Sequence, residues 1–295
     1  MSRPAKSFIL TKCMKKPVII GVGEIVWDCL PEKRALGGAP VNFAYHAMRL
    51  GADSYPVSAV GRDELGEETL SECRSYGLRT DFLQQNNLPT SRVLVSLDDR
   101  GIPTYRILEN VAWDDLRATP EVLGVAGHAD AVCWGSLAQR SEGSRAAILQ
   151  IVDAAPTEAL KVFDINLRQY YYDKAVIQAS LERANILKLN EDELPAVLQM
   201  MSLDGIPAIV KQYGLDYLIY TCGAKDSEVY GPEGLISHID TPRVDVVDTV
   251  GAGDSFTAAF VTAILHGETP ASAHAKAVDL SARVCQARGA MFGSV

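Results

Sequence analysis

The chain has 295 residues, enough for one large α/β domain or a domain with a smaller appendage, and a formal net charge of −9. That acidic balance leaves no basic surplus to neutralise a phosphate backbone, which argues against a nucleic-acid partner, and no apolar run is long enough to span a membrane. Cysteines at 13, 29, 73, 133, 222 and 285 form no C-x-x-C pair, so they are read as reduced thiols of a cytoplasmic protein.

Residues 1–16 carry Arg3, Lys6, Lys12, Lys15 and Lys16 and no acid, and the Phe8-Ile9-Leu10 cluster is too short for a signal-peptide core. Residues 1–13 are therefore expected to be a dispensable extension, with one folded domain over 14–295. The β-branched run 18–22 ends in Gly21-Val22-Gly23, the pattern of a buried parallel strand that feeds a ligand-facing loop. A dinucleotide-binding reading fails on spacing, because the third glycine of G-x-G-x-x-G falls at Val26 and no helix starts there. Gly37-Gly38 then precede Pro40 and a helix over 42–50 closed by Gly51. Asp28 and Asn42 stand beside these glycines and suit a polyol, since a carboxylate accepts from two hydroxyls and an amide both donates and accepts. Turn chemistry alone also explains the glycine pair.

A strand over 55–60 and a helix over 64–76 follow. The segments 92–97 and 103–108, around Asp98-Asp99-Arg100-Gly101, then read as a β-hairpin. It interrupts the strand–helix alternation and is expected to be a lid, with segments 27–36 and 91–110 sharing a small sheet; an exposed sheet of this kind is also a candidate homodimer surface. From Pro120 the alternation resumes, with helices over 120–126, 142–154, 173–184, 191–201 and 204–213, and strands over 130–134, 160–165, 186–189 and 216–221. Such βα repeats predict a parallel sheet covered by helices, with ligands beyond the carboxyl ends of its strands. Those ends carry Gly135 to Arg140, Asn166-Leu167-Arg168, Asn190-Glu191-Asp192-Glu193 and Cys222-Gly223-Ala224-Lys225. Asn190 with Glu193 has two readings: a capping box, or a pair that arranges the waters of Mg²⁺. Residues 228–240 read as a small hairpin.

The sequence centres on 245–260, Asp-Val-Val-Asp-Thr-Val-Gly-Ala-Gly-Asp-Ser-Phe-Thr-Ala-Ala-Phe, followed by a last helix over 272–286. Gly251, Ala252 and Gly253 would offer free N–H groups at the mouth of a helix over 255–266, a ready anion site. Asp254, in the first turn and expected to be ionised in the same field, would take a proton from a hydroxyl attacking a bound phosphate. Gly and Asp are also ordinary at helix N-termini.

With these pieces placed, the chain from Val18 onward resembles the ribokinase-like (PfkB) carbohydrate kinase family. Asp248-Thr249-Val250-Gly251-Ala252-Gly253-Asp254 fits its D-T-x-G-A-G-D signature; Gly37-Gly38 with Asn42, N-x-x-E at Asn190 and Glu193, and Thr221-x-Gly223 with Lys225 fall in the expected order. The resemblance implies a three-layer α/β/α sandwich with a mostly parallel sheet and a β lid, ATP over the C-terminal half, and a small sugar between core and lid. Asp254 would be the base and 251–253 the anion hole; Asp28, Gly38 and Asn42 would contact the sugar, and Asn190, Glu193, Thr221, Gly223 and Lys225 the nucleotide side. Mg²⁺ would meet Glu193 through water. Members also often bind K⁺, here near Asp248 and Gly289-Ala290. Within the family, the stretches 23–28, 135–140 and 164–168 look most like fructokinases, and Arg168 would meet a phosphate or pair with a neighbouring acid. The expected reaction is phosphorylation of fructose at O6. The rivals are another acceptor (ribose, 2-keto-3-deoxygluconate or a nucleoside) and a non-catalytic regulator on the same fold.

Overall fold

The computed structural model describes residues 15–30, 33–97 and 103–292; the expected extension 1–13, with Cys13, and the hairpin turn 98–101 lie outside them. In chain order the elements are β1 (Val18–Val22), β2 (Val26–Leu30), β3 (Lys33–Gly37), α1 (Ala39–Arg49), β4 (Asp53–Gly61), α2 (Glu64–Ser75), β5 (Leu83–Asn86), β6 (Arg92–Leu97) and β7 (Pro103–Ile107). They continue with α3 (Pro120–Ala126), β8 (Ala131–Trp134), α4 (Glu142–Ala154), β9 (Leu160–Asp164), α5 (Lys174–Leu181), β10 (Ile186–Asn190), α6 (Glu193–Met201), α7 (Ile206–Tyr213) and β11 (Tyr217–Thr221). The hairpin β12 (Asp226–Gly231) and β13 (Gly234–Asp240) and the helices α8 (Ala252–Leu265) and α9 (Pro270–Cys285) complete them.

The larger sheet runs β13-β12-β11-β10-β9-β8-β1-β4-β5, parallel from β11 to β5 with the antiparallel β12–β13 hairpin at one edge. Strand parity divides its core. Ile20, Val132, Trp134, Phe163, Leu187, Leu189 and Leu218 point to one face and join one cluster with α3 to α7. Their neighbours Ile19, Ala131, Cys133, Val162, Ile186 and Ile219 point to the other face and pack with α1, α8 and α9. Both faces are covered, and the strands accordingly read as continuous apolar runs. The same parity sends Asp164 and Lys188, each one pleat beyond an apolar residue, to the α8 face.

The second sheet has the order β3-β2-β6-β7, so the hairpin 92–107 does share a sheet with the segment around 27–36. Among the described residues no helix is long and apolar enough to cross a membrane. The described cysteines, Cys29, Cys73, Cys133, Cys222 and Cys285, are free thiols.

Several features depart from the sequence reading, among them α1, which starts at Ala39 and not at 42 because Gly38 and Pro40 already turn the chain into the helix. β5, Leu-Gln-Gln-Asn, was not expected; only Leu83 is buried, and pairing with β4 alone makes the strand. Helix α8 starts at Ala252, three residues before the expected start, because Gly251 adopts a left-handed φ of 79° and turns the chain into the helix there. Finally, a methyl group added at Gly251 would lie 2.5 Å from Ala290 Cβ, so this glycine serves close packing against the C-terminal segment. That segment is held from α1: His46, wholly buried and pushed down to about 4 by burial, donates from Nε2 to Ala290 O at 2.9 Å, and Tyr45 donates to Phe292 O.

One buried ion pair joins the two sheets. Arg140 donates to both oxygens of Asp114 at 2.8 Å and to Leu108 O at the end of β7, and its guanidinium stacks 4.0 Å from the Trp113 ring centre. The two side chains are 7% and 11% exposed. Removing one member leaves a buried charge alone, so Arg140→Met should lower the unfolding free energy by about 3–5 kcal/mol. Arg117→Ala, which breaks an exposed pair with Asp115, should cost less than about 1 kcal/mol; urea denaturation compares the two. Gly289 has φ 76° with nothing within 4 Å of an added methyl group, so Gly289→Ala should cost about 1–2 kcal/mol from left-handed strain alone. Gly251→Ala should cost about 1–3 kcal/mol more through the clash with Ala290, read from thermal melts of the two variants.

Candidate active site

The parallel strands present their carboxyl ends along one edge of the sheet, and the polar loops gather there. The order reverses between β1 and β8, the kind of switch point at which parallel α/β sheets bind ligands. Into this place come the loop after β1, the N-termini of α1 and α8, and the loop after β9.

Helix α8 begins without any side-chain cap; the Ala252 N–H donates to Thr249 O at 3.2 Å, whereas the N–H groups of Gly253 and Asp254 start the helix without a backbone acceptor, and Gly251, Ala252, Gly253 and Asp254 are all partly exposed. Asp254 is the acid of that turn. Its Oδ2 accepts from Asn42 Nδ2 at 2.8 Å, a bond between residues 212 positions apart that ties α1 to α8. Asn42 is only 3% exposed, and it is held because α1 starts at Gly38, whose carbonyl accepts from the Val41 and Asn42 N–H groups. Gly38 has φ 116°, and an added methyl group would meet Glu24 O at 2.4 Å, so only glycine fits.

The helix field does not set the charge state of Asp254 by itself. Burial and the nearby charge of Asp164 push its carboxyl up to about 6, against the Asn42 bond and the charges of Lys188 and Arg168. Asp254 remains ionised at neutral pH, with a proton affinity close to what a general base requires. A second carboxyl, Glu24, lies just after β1, 3% exposed, with Oε2 unpartnered; burial above all, and Asp254 besides, raise it to about 7. Asp28 on β2 is half-buried, and its carboxyl is raised by burial and by Asp248, with Arg168 opposing. Arg168 is exposed and donates to Leu167 O at 3.0 Å, and its charge acts on Glu24, Asp28 and Asp254 together. Asp28, Gly38, Asn42, Arg168 and Asp254 are thus brought to one place.

The loop that carries Arg168 is strained. Asn166 and Gln169 have φ of 48° and 50°, which costs a residue with a side chain about 1–2 kcal/mol, and the surroundings hold it so. Leu167 N–H donates to Glu193 Oε1 at 2.9 Å, and Tyr170 and Tyr171 donate to Glu109 Oε1 just beyond β7 at 3.0 and 2.8 Å. Glu193 Oε2 accepts from Asn190 N–H at 2.9 Å, while Asn190 Oδ1 accepts from the Asp192 and Glu193 N–H groups. Asn190 and Glu193 therefore form the capping box and also fasten the β9 loop.

Glu193 is 5% exposed, and both its oxygens already accept from the backbone. It suits a hydrated Mg²⁺ as an outer partner through water, and not as an inner ligand. Among the described residues no group of three or more His, Cys, Asp or Glu is placed to hold a metal ion, so such an ion here must take most of its ligands from phosphate and water. Asp248 does reach Gly289, but both its oxygens are occupied by N–H donors, Val250 at 3.1 Å and Gly289 at 3.0 Å, which closes the turn before α8. Thr221 ends β11 opposite Asn190, and Gly223, at φ 53°, follows it. Lys225 pairs with Glu191 at 2.6 Å on the surface, so its ammonium is engaged. Sequence reasoning missed Glu24, Asp164 and Lys188. The strand parity of Val162-x-Asp164 and Ile186-x-Lys188, charged residues in register with buried ones, carried the signal for the last two.

The family model for pfkB family carbohydrate kinases matches residues 24–295. The chain is 31% identical over 265 residues to a fructokinase of Salmonella typhimurium, covering 84% of this chain and 85% of that protein. It is 32% identical over 296 residues to a fructokinase of Klebsiella pneumoniae, covering 92% and 94%. A fructokinase structure from Xylella fastidiosa with bound ATP superposes with a TM-score of 0.81 at 22% identity over 94% of each chain, which shows the shared fold. The ribokinase-like architecture, the signature at 248–254 and the match over nearly the whole chain agree, and the chain belongs to the pfkB family of carbohydrate kinases.

Proposed function

We propose that this carbohydrate kinase uses ATP to phosphorylate a primary hydroxyl of a small neutral sugar, with fructose, to fructose 6-phosphate, as the first candidate. One observation carries the reading: Asp254 and the uncapped N–H groups of α8 stand in the same turn, and Asn42 holds the carboxylate from the acceptor side at 2.8 Å. In this reading Asp254 takes the proton of the attacking hydroxyl, and the backbone of Gly251, Ala252 and Gly253 receives the transferring phosphoryl group. Asp28 and the Gly38 turn orient the sugar. The Thr221–Gly223 and Asn190–Glu193 loops lie on the nucleotide side. Mg²⁺, bound mainly by the nucleotide's phosphates, would neutralise charge on the transferring group, with Glu193 reached through water. Positioning and charge stabilisation carry most of the acceleration in such transfers, so the order in this turn matters more than any single group.

Charge favours the neutral acceptor. Glu24, Asp28 and Asp254 all face this place, and Arg168 is the cation acting on all three. A sugar acid such as 2-keto-3-deoxygluconate would add a further negative charge to a place where burial already disfavours ionised carboxyls, Glu24 above all, so fructose, ribose and nucleosides rank ahead of it. The similarity to fructokinases supports fructose as the first of these to test.

Asp254→Asn should lower kcat by about 10²–10⁴-fold while calorimetry shows fructose and ATP still binding, and near-unchanged turnover would remove Asp254 from the role. Because the base must be ionised and its carboxyl is raised to about 6, kcat/KM of the parent should fall as pH drops through about 6, where an unperturbed aspartate would hold activity to about 4. A panel of fructose, ribose, adenosine and 2-keto-3-deoxygluconate in a coupled ADP-release assay should show fructose preferred. Sugar-independent ADP release, or none with any of them, would count against the reading.

A further inference from the structure

Under the anion-binding turn lies an ion pair that the proposed mechanism does not use. Lys188 and Asp164 stand directly opposite each other on β10 and β9, both pointed by strand parity toward α8. Lys188 Nζ is 3.0 Å from Asp164 Oδ1, and each side chain is 8% exposed. Asp164 Oδ2 accepts from Thr257 Oγ1 at 2.8 Å, and that hydroxyl lies 3.0 Å from Gly253 O, so the pair is pinned to the first turns of α8. A methyl group added to Gly253 would sit 3.2 Å from Nζ, which places the ammonium against the Cα of the glycine in the turn.

Burial works against the charge of Lys188, but Asp164, Glu193 and Asp254 together hold its ammonium above the usual range, so it is a full positive charge. Stability alone gives little reason for it, since a buried pair can often be replaced by apolar side chains without loss. In the proposed mechanism the turn above it accepts an anion although Asp254 belongs to it and the carboxyl groups of Asp164 and Glu24 act on Asp254 from nearby. A helix N-terminus contributes only about half a unit of positive charge.

We propose that Lys188, anchored by Asp164, is a positioning residue for phosphoryl transfer: a fixed ammonium under Gly253 that keeps the anion-binding turn electropositive and Asp254 in its proton-accepting form. The inference rests on Asp254 as the base. The groups that bear on Asp254 are Asp164 of β9, Lys188 of β10, Arg168 of the loop after β9, Asn42 of α1, Glu24 after β1 and the neutral Cys133 thiol of β8. Of these, Lys188 is the buried cation; Arg168 is exposed to screening solvent.

Two variants test it. Lys188→Met should move the acidic limb of the kcat/KM profile upward by about one pH unit and lower kcat at pH 7 about tenfold or more, with KM for fructose changed less than about threefold. An unmoved limb with unchanged kcat would overturn the proposal. Because the single change strands Asp164, the double variant Lys188→Met, Asp164→Asn removes both charges and keeps an oxygen for Thr257. It should regain the parent's thermal melting midpoint while kcat stays about tenfold or more below it. A double variant that is both stable and fully active would reduce the pair to packing. If Asp254→Asn is inactive while the double variant is fully active, only this inference falls; if Asp254→Asn turns over normally, the mechanism beneath it falls as well.

Discussion

The crowding of carboxylates around one helix N-terminus is the constraint on which this site depends. Asp254 sits in the first turn of α8 with Asp164 and Glu24 near, and its carboxyl is raised to about 6 by burial first and by Asp164 second. Left to those effects, the carboxyl would tend to hold its proton, and once ionised it would repel an incoming phosphate. Asn42, Lys188 and Arg168 act in the other direction, from three different elements. The balance between them is a property of the folded chain, since Asn42 is 212 positions away from the residue that it steadies.

The loop after β9 gives that balance its mechanical support. Within residues 164–171 the chain supplies the anchor of Lys188, the exposed Arg168, and the tyrosines that reach Glu109 next to the second sheet. Leu167 is fastened to Glu193, so the capping box of α6 also sets the position of the loop that carries Arg168. The left-handed conformations of Asn166 and Gln169 are held by these bonds. Arg140, pairing with Asp114 and stacking on Trp113 and Tyr171, anchors the end of β7 to the same region. The segment after β7, the first turns of α8 and the Asn190–Glu193 loop are thus joined by direct bonds to one short stretch.

Packing at the glycines of the signature shows a division of labour within three residues. Gly251 is required by its left-handed backbone and by Ala290, whereas Gly253 faces the Lys188 ammonium. Both leave room, but for protein groups on the inside as much as for a ligand on the outside. The C-terminal segment is therefore part of the architecture of the turn, held in place by Tyr45 and His46 of the helix that also carries Asn42.

The sequence by itself determined the alternation of strands and helices, the 92–107 hairpin and the signature turn, because these depend on local periodicity and on the backbone demands of glycine and proline, whereas the sheet that this hairpin shares with the segment around 27–36, although expected, is fixed by the distant pairing of β2 with β6. For Asn190 and Glu193 the sequence left a capping box and a Mg²⁺-arranging pair both open, and the reciprocal side-chain bonds of the folded chain show the box. It did not reveal β5, whose polar Leu-Gln-Gln-Asn gains its conformation only from pairing with β4. The tertiary structure alone decided that Asn42 meets Asp254, that Glu24 is buried beside them, and that Lys188 and Asp164 lie under Gly253. Each of these is a contact between side chains far apart in sequence, and the proton affinity of a carboxylate answers to the charges and the burial around it in space, which no local pattern encodes.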